Sequence, residues 1–363
     1  MSYTNGLDDP TIFFNTKLYT GNDTGSTGIT GVGFQPDWVW IKSRNGAYDN
    51  NIFDSVRGAE KQLVANGTNA EQTLTDSFNS FDSDGFTLGA DSQTDGVNNN
   101  GTTYASWNWK AGGSASSNSN GSITSTVSAN QTAGFSIVSY TSGQSGVFSI
   151  GHGLSSAPKI FIAKSRDSTN NWGFYYTVRG TNTNWLTLDT NDAQGNNNAD
   201  PDANGIAGGG VGYTGVYAVL NSSTISIGPT AYANSGTSAI GYCFAEVKGF
   251  SKFGSYTGNG STDGTFVYTG FKPAWLMIKS SSLSSTSWVI HDNKRDTFNI
   301  AKNNLDADNS DAEANLDRLD ILSNGFKSRS TLNFNNRSGE TYIYMAFAES
   351  PFVNSSGIPN NAR

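Results

Sequence analysis

The chain has 363 residues, but only two histidines, His152 and His291, and one cysteine, Cys243, are available for nucleophilic or metal chemistry. A Ser-His-Asp triad needs a histidine whose partner acid lies within reach. His291 is followed directly by Asp292, and neighbours on a strand point to opposite faces. Zinc and other transition metals need clustered Cys or His ligands, and the sequence has none. Cys243 lies in the apolar run Ile240-Gly241-Tyr242-Cys243-Phe244 and reads as a buried, inert thiol. A single cysteine cannot close an internal disulfide, which points to folding in a reducing compartment. Asp306-Ala307-Asp308-Asn309-Ser310-Asp311 has the acidic spacing of the start of a calcium loop. It lacks the glycine at the sixth position and the glutamate at the twelfth, where Asp317 stands, so an acidic surface loop is the favoured reading. Calcium is therefore the only cofactor considered, and no metal ligand is assigned. Gly208-Gly209-Gly210-Val211-Gly212 is followed by neither a lysine nor a helix start, so it is no phosphate loop. Paired carboxylates for glycoside cleavage stay open, because aspartates are common and their separation cannot be read from sequence. No catalytic residue is assigned, and the chain is not expected to be an enzyme.

Two sets of residues are candidates for ligand binding. Asp54-Ser55-Val56-Arg57 recurs as Asp292-Asn293-Lys294-Arg295, while Tyr176 replaces the acid ahead of Arg179. A strand-end salt bridge explains the recurrence. A ligand clamp built by Asp54, Arg57, Asp292 and Arg295 is the alternative. Trp172 and Trp185 form the second set. Unlike Trp38, Trp40, Trp107, Trp109 and Trp275, which lie in strong strand patterns, they have polar neighbours. An exposed tryptophan beside Asn and Asp can stack on a sugar ring and hydrogen-bond its hydroxyls. Strand-edge packing is the competing reading.

The elements that must position these residues repeat three times. Phe34-Gln35-Pro36-Asp37-Trp38-Val39-Trp40-Ile41-Lys42-Ser43 returns as Ala157-Pro158-Lys159-Ile160-Phe161-Ile162-Ala163-Lys164-Ser165 and as Phe271-Lys272-Pro273-Ala274-Trp275-Leu276-Met277-Ile278-Lys279-Ser280. A spacing above one hundred residues marks whole modules and not a short solenoid unit. Arg57, Arg179 and Arg295 follow Lys42, Lys164 and Lys279 by 15, 15 and 16 residues. Each copy closes on an aromatic strand around Trp107, Tyr242 and Met345. Trp38, Trp40 and Lys42 share one strand face and Val39 and Ile41 the other, the mark of a central strand buried on both sides. Asp84-Gly85 and Asn324-Gly325 read as tight turns. Ala312-Glu313-Ala314-Asn315-Leu316-Asp317-Arg318-Leu319 is the one segment with a helical pattern.

The expected fold is all-β: three tandem antiparallel β-sandwiches of jelly-roll, lectin-like type. The expected division is an N-terminal arm (1–10), repeat 1 (11–113), a flexible Gly/Ser/Asn linker (114–130), repeat 2 (131–250), repeat 3 (251–352) and a short tail (353–363). Repeats 2 and 3 are expected to move as one body, with repeat 1 freer. An Asn/Asp/Gly-rich insertion spans 191–212. A net charge of −8 with no basic run excludes nucleic acid as a partner and disfavours anionic membranes. No apolar stretch approaches the ~20 residues of a membrane helix. The N-terminus has neither the basic start nor the apolar core of a signal peptide.

The combination Tyr-Thr-Gly, Phe-x-Pro-x-Trp-Val-x-Ile-Lys, Asp-x-x-Arg and Asp-Gly-Phe resembles a β-rich repeat common in virion and tail-fibre proteins of marine bacteriophages. Gly134-Phe135-Ser136-Ile137-Val138-Ser139-Tyr140 and the closing Met345-Ala346-Phe347-Ala348-Glu349-Ser350-Pro351-Phe352 carry the same likeness, which runs from about residue 8 to 363. The resemblance implies a virion structural protein made in the host cytoplasm and displayed on the particle surface. A tail fibre or spike subunit that recognises a host polysaccharide is the leading form, and a head decoration protein the alternative. It also implies other virion proteins as partners and a homo-oligomer, with a trimer expected for a fibre. No enzymatic residue is carried over.

Overall fold

The strand Trp38–Ser43 is buried along its whole length, as its two apolar faces require. In the computed structural model, which describes residues 7–92, 96–142, 147–179, 184–194, 218–228 and 236–360, the chain is all-β and built of antiparallel sheets. The same four-strand order occurs three times. In the first copy it is Phe14–Thr20, Thr103–Trp109, Trp38–Ser43 and Asn51–Asp54. In the second it is Phe135–Thr141, Ser238–Phe244, Ile160–Ser165 and Gly173–Tyr176. In the third it is Ser251–Thr257, Thr341–Pro351, Phe271–Ser280 and Val289–Asp292.

Strand alternation gives each sheet two apolar faces. One face covers a smaller set of strands belonging to the same copy. Val39, Ile41 and Phe53 pack there with Ile29, Phe86 and Leu88 in the first copy, and separate clusters repeat this in the second and third. The opposite faces of all three sheets meet in one continuous core. Trp38, Trp40, Trp107 and Trp109 join Phe135, Tyr242 and Phe244, and both groups join Trp275, Met345 and Phe347. Ring contacts link every pair of copies: Trp38 to Tyr242 at 4.7 Å, Trp109 to Trp275 at 5.5 Å and Phe244 to Phe347 at 5.8 Å. The three copies thus surround a common aromatic core as the subunits of a trimer would. The first copy is a full partner in it and not a freely moving module.

Segments read as irregular or helical prove to be strands. Residues 114–130 are not a free linker: Ser116–Asn118 and Ser125–Asn130 pair with each other, and the latter pairs with Phe135–Thr141. The helical pattern at 312–319 gives way to the strand Ala314–Leu322, held between Ala301–Asp306 and Gly325–Ser328. Leu319 and Ile321 alternate into the third copy's own core, and sheet pairing on both sides overrides local propensity. Most of the insertion, 195–212, lies outside the described residues.

The turn glycines follow close backbone approach. Gly85 has φ +143°, and a Cβ there would run into the carbonyl of Ile29; a Cβ on Gly325 would meet that of Val267. The second copy has Thr224 at this place, and the residue facing it across the ladder is Gly151. The glycine has moved to the partner strand.

Candidate functional site

Three related polar seams run between the copies, and they hold most of the residues singled out above. Where the first and second copies meet, the guanidinium of Arg166 donates to both carboxylate oxygens of Glu71 at 2.7 and 2.8 Å, and Arg57 Nη1 donates to the same carboxylate at 3.2 Å. Where the third and first meet, Arg44 donates to both oxygens of Glu313 at 3.0 and 2.8 Å, and Arg295 adds a bond at 3.0 Å. At the junction of the second and third, Gln194 stands in place of the glutamate and Ser281 in place of the arginine. Arg179 donates to Gln194 Oε1 at 2.8 Å and to Ser281 Oγ at 3.2 Å. The backbone is the same in all three: Glu71, Gln194 and Glu313 each donate their N–H to the carbonyl of Arg166, Ser281 and Arg44. Every copy therefore reaches into the next with one surface and receives the previous one on another, a head-to-tail contact that closes after three.

The conserved spacing of lysines serves the same seams. Lys42 donates to the carbonyl of Ser310, Lys164 to that of Thr68 and Lys279 to that of Asn191, each across a junction. Burial pushes all three ammonium groups down to about 8. Trp172 and Trp288 donate their indole N–H to the carbonyls of Val64 and Thr187 in the neighbouring copy at 2.8 and 3.1 Å. Their own backbone N–H groups are capped by Asp189 and Asp308, whose carboxyls burial pushes up to about 6.

The clamp reading of Asp54, Arg57, Asp292 and Arg295 is corrected by this geometry. The side chains of both pairs are 0% exposed, and each arginine bonds the aspartate three positions before it. Asp54 also accepts the Tyr242 hydroxyl of the second copy at 2.7 Å, and Asp292 accepts the Trp107 indole of the first at 3.0 Å. Burial pushes the Asp292 carboxyl up, but Arg295 and the Trp107 indole outweigh it and hold it below the usual carboxylate range. In the second copy Tyr176 stands in place of the acid, and at the place of Trp107 and Tyr242 the third copy has Met345, which has no proton to donate. Acid and donor are lost together. These four residues are structural pins of a dry interface. Trp172 is likewise fully buried, so it is no sugar platform, and Trp185 is half-buried against the second copy's own core. Their polar sequence neighbours gave no sign of this, because the Val64 carbonyl that the Trp172 indole meets belongs to another copy and the Tyr242 ring beside it lies seventy positions away.

The remaining reactive groups are also buried. Burial raises the Cys243 thiol to about 12. His152 lies against the Asn221 carbonyl at 3.1 Å, and His291 is buried on the face of its strand opposite Asp292. In the acidic loop, Asp308 caps Trp288, Asp306 accepts from Asn309, and the carbonyls of Asp306 and Ser310 accept from Asn50 and Lys42. Among the described residues no group of three or more His, Cys, Asp or Glu side chains converges as a metal site.

What lies open to a ligand is elsewhere. Among the surface clefts are three formed by described residues, and Glu246 lines two of them. One of them adjoins Tyr268, which with Phe266 exposes an aromatic pair that sequence analysis passed over. The signal was present: aromatic residues alternate through Phe266-Val267-Tyr268 where the other copies have small or polar residues.

Neither the curated proteins nor the solved structures contain a match to this chain. A family model does match, over residues 9–351, and so takes in all three copies and their shared core as one unit. The chain belongs to the family described as a domain of unknown function, DUF7483.

Proposed function

We propose that this protein is a surface component of a bacteriophage particle, a tail fibre or spike subunit that contributes to recognition of host-surface polysaccharide. The observation that carries this reading is the closed arrangement of three like copies around one aromatic core. Its polar groups are spent on holding the copies together, and its loops are left to face outward. One chain of this build presents threefold-related surfaces and can sit on a threefold mount as a single copy or as part of a larger homo-oligomer, a trimer included. Other virion proteins are the partners this reading requires. The repeated unit fits a lectin-like, jelly-roll sandwich: in the first two copies a broad sheet accompanies a smaller one, and in the third the two run on as one eight-stranded sheet.

A second reading, a decoration protein that stabilises a head shell and binds no host molecule, is favoured by the burial of Trp172. That residue is the first place to look for a sugar platform, and it is a seam residue instead. Cryo-EM reconstruction of the particle separates the two. Density on the tail or its fibres supports recognition, density across the head shell supports decoration, and absence from the particle overturns both.

A further inference from the structure

The strand Phe266–Tyr268 turns Val267 inward and leaves Phe266 and Tyr268 46% and 57% exposed. Val267 lies opposite Phe326, as Ile29 lies opposite Phe86 and Ile150 opposite Ile225 in the other copies. The inward residue is thus apolar in all three copies, as the core demands. The outward pair is not shared: the matching positions are Gly28 and Thr30 in the first copy, and Ser149 and Gly151 in the second. The fold forms without aromatics there, so packing does not account for Phe266 and Tyr268. The two side chains project from the same strand face about 7 Å apart, the two-residue repeat of a strand.

Tyr268 also forms one wall of a cleft of about 210 Å³ shared with Glu246, Lys252, Gly270 and Phe352. Its ring lies along Gly270, which has φ +84°; a Cβ on that glycine would sit 3.7 Å from the tyrosine hydroxyl. Lys252 Nζ and Glu246 Oε1 are 2.6 Å apart, and both side chains are partly open to solvent, so a donor and an acceptor stand side by side. The cleft is smaller than the roughly 300–1,000 Å³ of an enclosing small-molecule pocket. It holds only part of a ligand, the rest of which would lie along the aromatic strand. Two aromatics and one small cleft also fall well short of the roughly 1,000 Å² that a stable protein interface buries.

We propose that Phe266, Tyr268 and the adjoining Glu246–Lys252 cleft form a binding site for an extended oligosaccharide, unique to the third copy. Sugar rings stack on the two aromatic faces, and neighbouring hydroxyls bridge the carboxylate and the ammonium. The site rests on the recognition role proposed above and gives it a location. The test is binding of the full chain to a printed array of bacterial surface oligosaccharides with hexose and N-acetylhexosamine repeats, with hits titrated in solution. The expected result is binding that falls about tenfold or more in Phe266→Ala and in Tyr268→Ala, the loss of one stacked ring. Tyr268→Phe should keep most of the affinity, Lys252→Ala should weaken it, and the melting temperature should not move. No binding at millimolar oligosaccharide, or binding that both alanine variants leave intact, overturns the site. Either result leaves the placement on a particle to be decided by reconstruction, so this inference and the virion reading can fail separately.

Discussion

Replacing Glu71 by glutamine removes the charge that joins Arg166 of the second copy to Arg57 of the first, while keeping the shape that Gln194 has at the matching place. Glu71 accepts three hydrogen bonds from two guanidinium groups. The Arg57 side chain is 0% exposed, whereas Glu71 and Arg166 are 11% and 22% exposed. Hydrogen bonds to charged groups contribute about 1.5–3 kcal/mol each when buried, and solvent lowers the share of the outer pair. Arg57 keeps Asp54, so the expected loss is about 2–3 kcal/mol. Unfolding entropy of ~2.1 cal/mol/K per residue over 363 residues gives ~0.76 kcal/mol/K if the chain unfolds as one unit. The melting temperature should then fall by about 3–4 °C in a single transition. If one copy of roughly 110 residues unfolded alone, the same loss would shift its own transition by about 11 °C and leave a second one unmoved. Differential scanning calorimetry reads both quantities. A single transition displaced by less than ~1 °C would refute the energetic argument, and two transitions would refute the common core. Burial raises the Glu71 carboxyl, but Arg166 and Arg57 outweigh that and hold it below its usual 4.5. Its contribution is present above that value and lost as pH falls through the folded one. The gap between wild type and variant should therefore close on acidification below about 4.5.

Trp172→Ala should destabilise by about 3–5 kcal/mol in chemical denaturation, as expected for a fully buried indole, and Trp185→Ala by clearly less; equal losses would mean that Trp172 is not a seam residue. Tyr242→Phe should lose about 1.5–3 kcal/mol by the same measurement, since it strips a donor from the buried Asp54 carboxylate, and an unchanged midpoint would count against that bond. Asp189 and Asp308 are raised to about 6, so they favour folding at acid pH, and that stability is lost as pH rises through 6. Lys42, Lys164 and Lys279 are lowered to about 8, so their contribution to stability is full above their ordinary 10.5 and lost as pH falls through 8. Melting temperature against pH should therefore show a decline between about 4 and 6 and a rise that begins near 8, until the buried Cys243 thiol and tyrosines, raised above their ordinary 9 and 10, oppose it; Asp189→Asn and Lys164→Met should each flatten its own limb, and a profile unaltered by either would sink the assignment. Gly85→Ala should lower the unfolding free energy from chemical denaturation by about 2 kcal/mol or more, because its φ of +143° and the nearby Ile29 carbonyl leave no place for a Cβ; a neutral substitution would refute that reading.

The sequence by itself determined the strands and which of their faces are apolar. Trp38 and Trp40 against Val39 and Ile41 is a period of two, and a sheet buried on both sides follows from it whatever lies beyond. It also determined that Lys42, Lys164 and Lys279 and the three arginines hold equivalent places, because equal spacing in like modules puts them there. Only the tertiary structure decided what the second apolar face meets. A repeated apolar face can be covered by a smaller sheet, by another molecule or by its own copies, and local pattern is the same in each case. Here the copies cover one another, so the Trp172 indole meets a carbonyl more than a hundred positions away, and the Asp–Arg pairs, salt bridges as their recurrence suggests, are sealed inside a junction. The segment 114–130 shows the same limit. Its Gly, Ser and Asn have little strand propensity, yet a neighbouring edge at Phe135–Thr141 offers hydrogen bonds that the composition does not reveal. Exposure at Phe266 and Tyr268 was likewise decided in three dimensions: their alternation is in the sequence, but which of the two faces is left uncovered depends on where the third copy's sheet ends.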